Sequence, residues 1–484
     1  MNIRTTDFDD NVYTGFLRFE DEDYQFVFGG QTLKMISTSA ESRAGMWKFG
    51  MEEISQGTYT WGRPPRINQD AIVGRCNETN QKIIFLPKKG SYITHQNSVL
   101  FIDLEAYITY IICKYERDKI DRISFTGPEI NVIHPTRQAI EYTLDPDTFM
   151  NSGTFEVKTR DFDSTTTQKQ EFTVDSKPVS VSFGVSRTMS TKNWEPLMKL
   201  SSDMLFEFDA TDDYRFILRL WYVARQFVQF LCYRKDVLFS EVNLAAPYKD
   251  GKHETFAAIH VFSEKSDNID TKTLKEGRYI KQMHIAGHEG EILSNISDNK
   301  MYLRNLPVSY ETGRHIDAAR FVMITAAFEW EFNRLYPNGI PKSEQRLAAE
   351  MEAIGKLKVL IADSKGKTKG IYKSLLKAVE RGPSLANKIE KIGNDYDDII
   401  SPFGRQLYNS NCEELNYSQM GSRLAEQRNH FAHGDLDKDF IGLSLLDLMF
   451  LERIIYAIQL KICGVDNKNI QMSINELFHC NFAL

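Results

Sequence analysis

The sequence predicts an α+β fold: a β-rich N-terminal domain over residues 1–305, an antiparallel sandwich or barrel with one embedded helix, then an all-α helical bundle over residues 306–484. Two observations carry this prediction. Short runs of alternating apolar and polar residues, separated by turn signals, dominate the first 200 positions. Near Tyr310 the apolar spacing changes to a helical period. A chain of 484 residues is also too long for one ordinary core.

Alternation and β-branched or aromatic content predict the strands of the N-terminal domain. Before the embedded helix, the predicted strands cover residues 12–19, 24–28, a short run to Met35, 71–75, 82–86, 98–114, 154–159 and 171–185. The helix is predicted over 214–234, after the capping pair Asp212 and Asp213. Beyond it, strands are expected at 239–244, 256–262 and 279–285.

The C-terminal part predicts six helices that together form a bundle. Their apolar residues recur every three or four positions, and their ends carry stop signals such as Pro337-Asn338-Gly339 and Gly382-Pro383. The predicted helices cover residues 315–335, 341–362, 368–379, 384–400, 420–433 and 443–463.

Composition excludes several classes of protein. Hydrophobic content of 42% and charged content of 26% are typical of a soluble globular chain. The N-terminus has no signal-peptide pattern, and no uninterrupted apolar run is long enough to cross a bilayer. The six cysteines form no CxxC pair, which favours a reducing compartment. We therefore expect a cytoplasmic protein with no membrane partner, no cofactor and no metal site.

Charge is distributed unevenly along the chain. The net charge is −7, but acidic and basic residues balance from Gly313 onwards, so the excess acid lies in the N-terminal part. The stretch 356–391 is strongly basic. Such a local face can bind phosphate on an acidic protein, although a solvated helix face explains it equally well. The RNA-binding candidates in this stretch are Lys365, Lys367, Lys369 and Lys373.

Three weaker patterns predict no site. Gly366-Lys367-Thr368 resembles the end of a phosphate-binding loop, but position 361 is Ile and no strand precedes it. His284 and His288 have the spacing of two metal ligands on a helix, yet their surroundings predict a strand. Arg278 and His284 are separated by five residues, within a segment that we interpret as the end of a strand.

The reactive groups of the C-terminal part are concentrated in residues 428–434, Arg-Asn-His-Phe-Ala-His-Gly. Metal-free RNA cleavage needs a group that titrates near neutral pH and a fixed cation for the phosphate. Histidine suits the first task and arginine the second, so Arg428 and His433 are the catalytic candidates, with Asn429 as a supporting polar residue. A surface helix end, with Gly434 as its left-handed cap, is the alternative explanation.

These seven residues resemble the R-N-x-x-A-H-G form of the motif in HEPN ribonucleases. The domain order, a β-rich domain followed by this bundle, resembles the ApeA family of bacterial anti-phage proteins over nearly the full length. The resemblance implies a metal-independent endoribonuclease that acts as a homodimer, with the motifs of two protomers lining one cleft. It also implies abortive infection: a phage-derived protein triggers cleavage of host RNA, with tRNA as the expected target, and residues 1–305 act as the sensor or regulatory domain.

Other readings of the motif stay open. The bundle could be a non-catalytic module that binds RNA or protein, or the antidote or scaffold component of a toxin system. Glu329, on the first bundle helix, could orient Arg428 through an ion pair, and His430 has no role that the pattern requires. Residues five apart on a straight helix point about 140° from each other. Arg428 and His433 therefore need either a helix end at His433 or a second copy of the motif.

Overall fold

A computed structural model of the chain describes residues 12–39, 51–61, 66–96, 99–111, 119–143, 146–153, 156–248, 252–262, 271–380, 382–434 and 439–481. The fold is mixed α+β, as predicted. The chain divides into two compact units. One comprises Met1–Lys300 with Val308–Tyr310, and the other comprises Met301–Pro307 with Glu311–Leu484.

Strands dominate the N-terminal unit. The described residues form β1 Tyr13–Phe19, β2 Glu22–Gly29, β3 Thr32–Ser37, β4 Met51–Ser55, β5 Thr58–Trp61, β6 Ile72–Cys76, β7 Lys82–Pro87, β8 Thr94–Gln96, β9 Val99–Tyr110, β10 Ile120–Thr126, β11 Ile140–Thr143, β12 Glu156–Thr159, β13 Gln170–Val174, β14 Lys177–Met189, β15 Met198–Thr211, β16 Glu241–Pro247 and β17 His253–Val261.

Six of these strands close into an antiparallel barrel in the order β9-β3-β2-β1-β6-β7, and β7 pairs again with β9. The alternation seen in the sequence explains the closure, because every second side chain points inward. The interior is apolar and aromatic. Its members are Leu17, Phe19, Tyr24, Phe26, Phe28, Leu33, Met35, Ile72, Cys76, Ile83, Phe85, Ile93, Leu100, Ile102, Leu104 and Tyr107.

The long strand β9 also begins a second part of the sheet, through β17, β16, β10, β15, β14 and β13. The embedded helix packs against this part of the sheet. The ring centroid of Phe227 lies 6.4 Å from that of Phe183, and the ring centroid of Phe216 lies 5.6 Å from that of Phe208. The helices are α1 Pro128–Ile133, α2 Pro146–Ser152, the embedded α3 Tyr214–Cys232, α4 Thr271–Glu276, α5 Glu289–Ser297 and, at the change of unit, α6 Tyr310–Gly313.

The C-terminal unit is helical in its described residues. Its helices are α7 Ala318–Leu335, α8 Glu344–Asp363, α9 Gly366–Val379, α10 Leu385–Asp395, α11 Asp397–Asn409, α12 Tyr417–Ala432, α13 Ser444–Ile462 and α14 Asn467–Leu477. Helix α13 is the most deeply buried of them, with residues of nearly every face enclosed. Helices α8 and α9 have no buried residue at all.

The strand predicted at 279–285 is wrong. The segment is irregular and contains a single 3₁₀ turn, Gln282–His284. Burial does alternate, since Ile280, Gln282 and His284 are enclosed, and this produced the strand-like pattern. The backbone N–H groups, however, bond to nearby helix and turn carbonyls rather than to a neighbouring strand. Arg278 pairs with Glu276 at 2.8 Å.

The helix predicted over 384–400 is also wrong, because two helices occupy this stretch. Helix α10 ends at Asp395 and α11 begins at Asp397, with Tyr396 outside helical geometry between them. Asp397 and Asp398 lie in the first turn of α11, where carboxylates stabilise a helix start.

Strands β10 and β15 were not predicted. Charged residues interrupt their patterns, and the cross-strand ion pair between Arg122 and Glu207 accommodates two of these charges.

Candidate functional site

The motif residues lie at the C-terminal end of α12, whose helical structure was predicted. The Asn416 side chain caps the helix by accepting a hydrogen bond from the Gln419 N–H at 3.0 Å. One row of the helix is buried, namely Met420, Leu424, Gln427 and Phe431. The helix ends at Ala432 with His433 as its C-cap, and Gly434 follows with a φ of +92°, the left-handed conformation expected from the alternative explanation of the motif as a surface helix end.

Phe431 fixes the rotation of the motif about the helix axis. Its ring is buried and meets Phe321 of α7 and Phe440 edge to face, with centroids 5.4 and 5.5 Å apart. With Phe431 held inward, Asn429 and His433 are exposed to solvent. The two aromatic contacts therefore decide which motif side chains an external molecule can reach.

Gln427, directly before the motif arginine, is a structural residue that the sequence analysis missed. It is fully buried, and its side-chain oxygen accepts hydrogen bonds from the Ile441 N–H at 2.6 Å and the Ser444 hydroxyl at 3.2 Å. It thus connects the end of α12 to the start of α13. The available signal was a polar residue inside an otherwise apolar helical row.

Arg428 forms the ion pair with Glu329 that the sequence suggested. One guanidinium nitrogen lies 2.7 Å from the Glu329 carboxylate, and the Arg428 side chain is 32% exposed. The other carboxylate oxygen lies 3.4 Å from the ammonium group of Lys388, on α10. Arg428 is therefore held by a carboxylate while part of its side chain remains exposed to solvent.

Helix α7 presents two glutamates in opposite ways. Glu331 is fully buried and accepts hydrogen bonds from the Tyr302 N–H at 2.8 Å and from Gln459 at 3.0 Å, and burial raises the pKa of its carboxyl. Glu329 is half-buried at the rim of the helix. Of these two glutamates, Glu329 is the one that pairs with Arg428, whereas Glu331 is part of the core.

A second ion pair supports α12 one turn before the motif. Arg423 donates two hydrogen bonds of 2.7 Å to the fully buried Asp447 of α13, and the Tyr408 hydroxyl donates to the same carboxylate. The contact with Asp447 raises the pKa of Arg423, while burial and the same carboxylate raise that of Tyr408. Two consecutive turns of α12 thus bind carboxylates of α7 and α13.

Arg428 and His433 do not contact each other within the described part of one chain. His433 is the C-cap of α12, with a non-helical φ of −87° and ψ of 2°, so the helix ends at this histidine, which is one of the two arrangements that the sequence left open. Its exposed ring forms no side-chain hydrogen bond with any residue that the structure describes. The arrangement leaves a cation and an imidazole on neighbouring parts of one accessible helix end, while residues 435–438 lie outside the described ranges.

The four candidate lysines lie elsewhere in the C-terminal unit. Lys365 precedes α9, while Lys367, Lys369 and Lys373 lie on that helix, which packs against α8. Lys369 is half-buried and the other three are exposed. In the described ranges, no ion pair neutralises them, and no hydrogen bond joins them to the motif. The four lysines therefore form a cationic surface at α9, and no described contact joins this surface to Arg428 or His433.

The rejected patterns form no site in the described ranges. Gly366 begins α9 with a φ of +57°, and helix α8 precedes it where a phosphate-binding loop needs a strand. His284 is buried and is the last residue of the 3₁₀ turn Gln282–His284. Across the described residues, no three histidine, cysteine or carboxylate side chains cluster as a metal site would require.

No helix in the described part of the chain combines the length and apolar character needed to cross a bilayer. Comparisons with protein-family models, with curated proteins and with solved structures found no match. The resemblance to HEPN ribonucleases therefore depends on the motif residues and on the order of the two predicted domains.

Proposed function

We propose that the chain is a metal-independent endoribonuclease whose site is built from Arg428, Asn429 and His433. The observation that carries the proposal is the state of Arg428: Glu329 holds its guanidinium at 2.7 Å, a third of its side chain faces solvent, and His433 at the end of the same helix is exposed. A fixed but accessible guanidinium is suited to phosphate, and an exposed imidazole can exchange protons with solvent or substrate.

In the proposed reaction, the ribose 2′-oxygen attacks the adjacent phosphorus and the bond from phosphorus to the 5′-oxygen breaks. His433 takes the proton of the 2′-hydroxyl, and the leaving 5′-oxygen receives a proton from water or from the imidazole of a second copy. Arg428 stabilises the charge that develops on the phosphoryl oxygens. The products carry a 2′,3′-cyclic phosphate and a 5′-hydroxyl, and no metal takes part.

The lack of a contact between Arg428 and His433 in the described part of one chain supports a composite site. A homodimer that places two motifs around one phosphate would bring the arginine of one copy to the histidine of the other. In line with the resemblance, we propose that the substrate is host RNA, with tRNA as the first candidate. A phage-derived protein acting through the N-terminal unit would trigger cleavage in the bacterial cytoplasm.

The alternative is a non-catalytic module that binds RNA or protein. The same absence of contact between Arg428 and His433 favours it, because a binding surface needs no aligned proton donor and acceptor. The two candidates differ in one outcome: a module binds RNA and leaves it intact, with or without extract from phage-infected cells.

The test uses purified protein, a tRNA pool, EDTA and extract from phage-infected cells. Arg428→Ala and His433→Ala should each lower the cleavage rate by about 10²–10⁴, whereas the exposed controls Arg405→Ala and His315→Ala should cleave like the wild type. End-group analysis should find 5′-hydroxyl fragments. Fragments with a 3′-hydroxyl and a 5′-phosphate, or activity that EDTA abolishes, would contradict the proposal.

A further inference from the structure

Lys388 shares the carboxylate that holds Arg428. Its ammonium group lies 3.4 Å from one oxygen of Glu329, and the Arg428 guanidinium lies 2.7 Å from the other. The Lys388 side chain is only 10% exposed, against 32% for Arg428. Two cations of different accessibility therefore bind one carboxylate, and only the more accessible one belongs to the motif.

Lys388 has further contacts that keep it in place. The amide oxygen of Asn333, one turn along α7 from Glu329, accepts from the ammonium group at 3.3 Å. The ring centroid of Phe332 lies 5.4 Å from the same nitrogen, a cation–π distance. A desolvated lysine with these partners has no route to an external phosphate, so its charge acts on Glu329.

The charges of the cluster are unequal. Glu329 contributes one negative charge, while Arg428 and Lys388 contribute one positive charge each. The two cations repel each other across the carboxylate, and Lys388 also weakens the negative potential that attracts Arg428. If Arg428 turned to a phosphate, Glu329 would still have a partner, so no half-buried carboxylate would be left alone.

We propose that Lys388 is a positioning residue of the site: it competes with Arg428 for the Glu329 carboxylate and so makes Arg428 available to a phosphate. The phosphate is that of the RNA, so this part of the inference rests on the proposed function. The competition itself concerns three side chains of this chain and can be measured without RNA.

The test measures how fast phenylglyoxal modifies Arg428, by peptide mass spectrometry of the intact chain without RNA. Lys388→Met should slow modification by about threefold or more, because Arg428 then holds Glu329 without a competitor. Glu329→Gln should accelerate it. In the Glu329→Gln background, Lys388→Met should have no further effect, because its target is gone. Arg453, buried on α13, should stay unmodified while the fold is intact, and Arg405, 67% exposed on α11, reports the general reactivity of the reagent.

Asn333→Ala tests the same competition by removing a partner of Lys388 that lies at the surface. Asn333 is exposed, so its loss should not prevent folding. Without it, Lys388 turns fully to Glu329, and Arg428 should react faster than in the wild type. If Lys388 were only a structural residue, Lys388→Met would loosen the site and accelerate modification of Arg428. Acceleration or no change in Lys388→Met, with Arg453 unmodified and Arg405 unaffected, would overturn the proposal.

RNA affinity, measured by fluorescence anisotropy with tRNA in the His433→Ala background, separates this inference from the proposed function. Lys388→Met should weaken binding by about threefold or more, and only where Glu329 is present. An equal loss in the Glu329→Gln background would overturn the inference, since Lys388 would then act on RNA directly. If no variant bound RNA while the reactivity pattern held, the proposed function would fail and the competition for Glu329 would stand.

Discussion

The barrel interior of the N-terminal unit and the core around α13 of the C-terminal unit are built differently. The barrel encloses apolar and aromatic side chains, such as Phe28, whose ring lies 5.1 Å from Phe85 and 4.9 Å from Tyr107. Helix α13 buries polar and charged side chains, each with a partner on another segment: Asp447 with Arg423, Glu452 with Arg320, Arg453 with the Phe403 carbonyl, and Gln459 with Glu331.

The difference shows what each core contributes. Apolar packing is non-directional, so the barrel core stabilises closure without selecting individual neighbours. A buried ion pair adds little net stability, because desolvation offsets the attraction, but it has only one arrangement in which its charges are satisfied. A one-turn shift of α12 along α13 would leave Asp447 without Arg423. The helical core therefore fixes the register of the helix that carries Arg428 and His433.

Removal of Asp447 should break this register and produce the largest effect on stability. Asp447→Ala leaves the Arg423 guanidinium and the Tyr408 hydroxyl without their acceptor, so we expect a loss of about 3–5 kcal/mol in the free energy of unfolding. This loss is measured by urea denaturation of the full chain, with unfolding of the C-terminal unit monitored by hydrogen exchange in α12. The exposed Asp439→Ala is the control and should change stability by less than about 0.5 kcal/mol. A similar loss in both variants would contradict the assigned role.

Acid should destabilise the N-terminal unit through His260, by a smaller amount. Burial lowers the pKa of this histidine to about 3 in the folded chain. The unfolded histidine binds a proton near pH 6.5, so stability present above pH 6.5 is lost as the pH falls towards 3. Between pH 6.5 and 5 the loss is about 2 kcal/mol.

His260→Phe keeps an aromatic ring against Tyr107, where the wild-type ring centroids are 4.8 Å apart, and should remove this part of the pH dependence. Hydrogen exchange of β9 at several pH values measures the difference between the two proteins. Equal losses between pH 6.5 and 5 in wild type and variant would show that His260 is not the titrating group.

The candidate lysines should give the smallest change in stability and a specific change in RNA binding. Because Lys373 is exposed, Lys373→Ala should alter folding by less than about 0.5 kcal/mol. If Lys373 contacts a phosphate, the slope of log affinity against log salt concentration should decrease by about 1. Lys461→Ala, an exposed lysine on α13, is the matched control. An unchanged slope after substitution of all four candidates would remove α9 from the RNA-binding surface.

Sequence reasoning succeeded where local pattern decides structure. The alternation of β1, β2 and β7, the capped, periodic α3 and the helix α12 were predicted, since each depends on its own residues. It failed where contacts with residues distant in the sequence determine the structure. Strands β10 and β15 accommodate charged residues through cross-strand pairs. The segment 279–285 alternates in burial but has no neighbouring strand to pair with. The ion pair between Glu329 and Arg428 could be suggested, because both residue types stand on predicted helices. Lys388 and Gln427 could not, because their roles depend on how the helices pack.

The most direct test of the nuclease assignment is made in bacteria that express the wild type or His433→Ala at equal levels. The cells are challenged with a panel of phages, and their total RNA is separated on a gel. We expect protection and RNA fragments with the wild type, and neither with His433→Ala, whose exposed side chain is not needed for folding. Protection by His433→Ala at the wild-type level would contradict the assignment and would direct attention to the N-terminal unit.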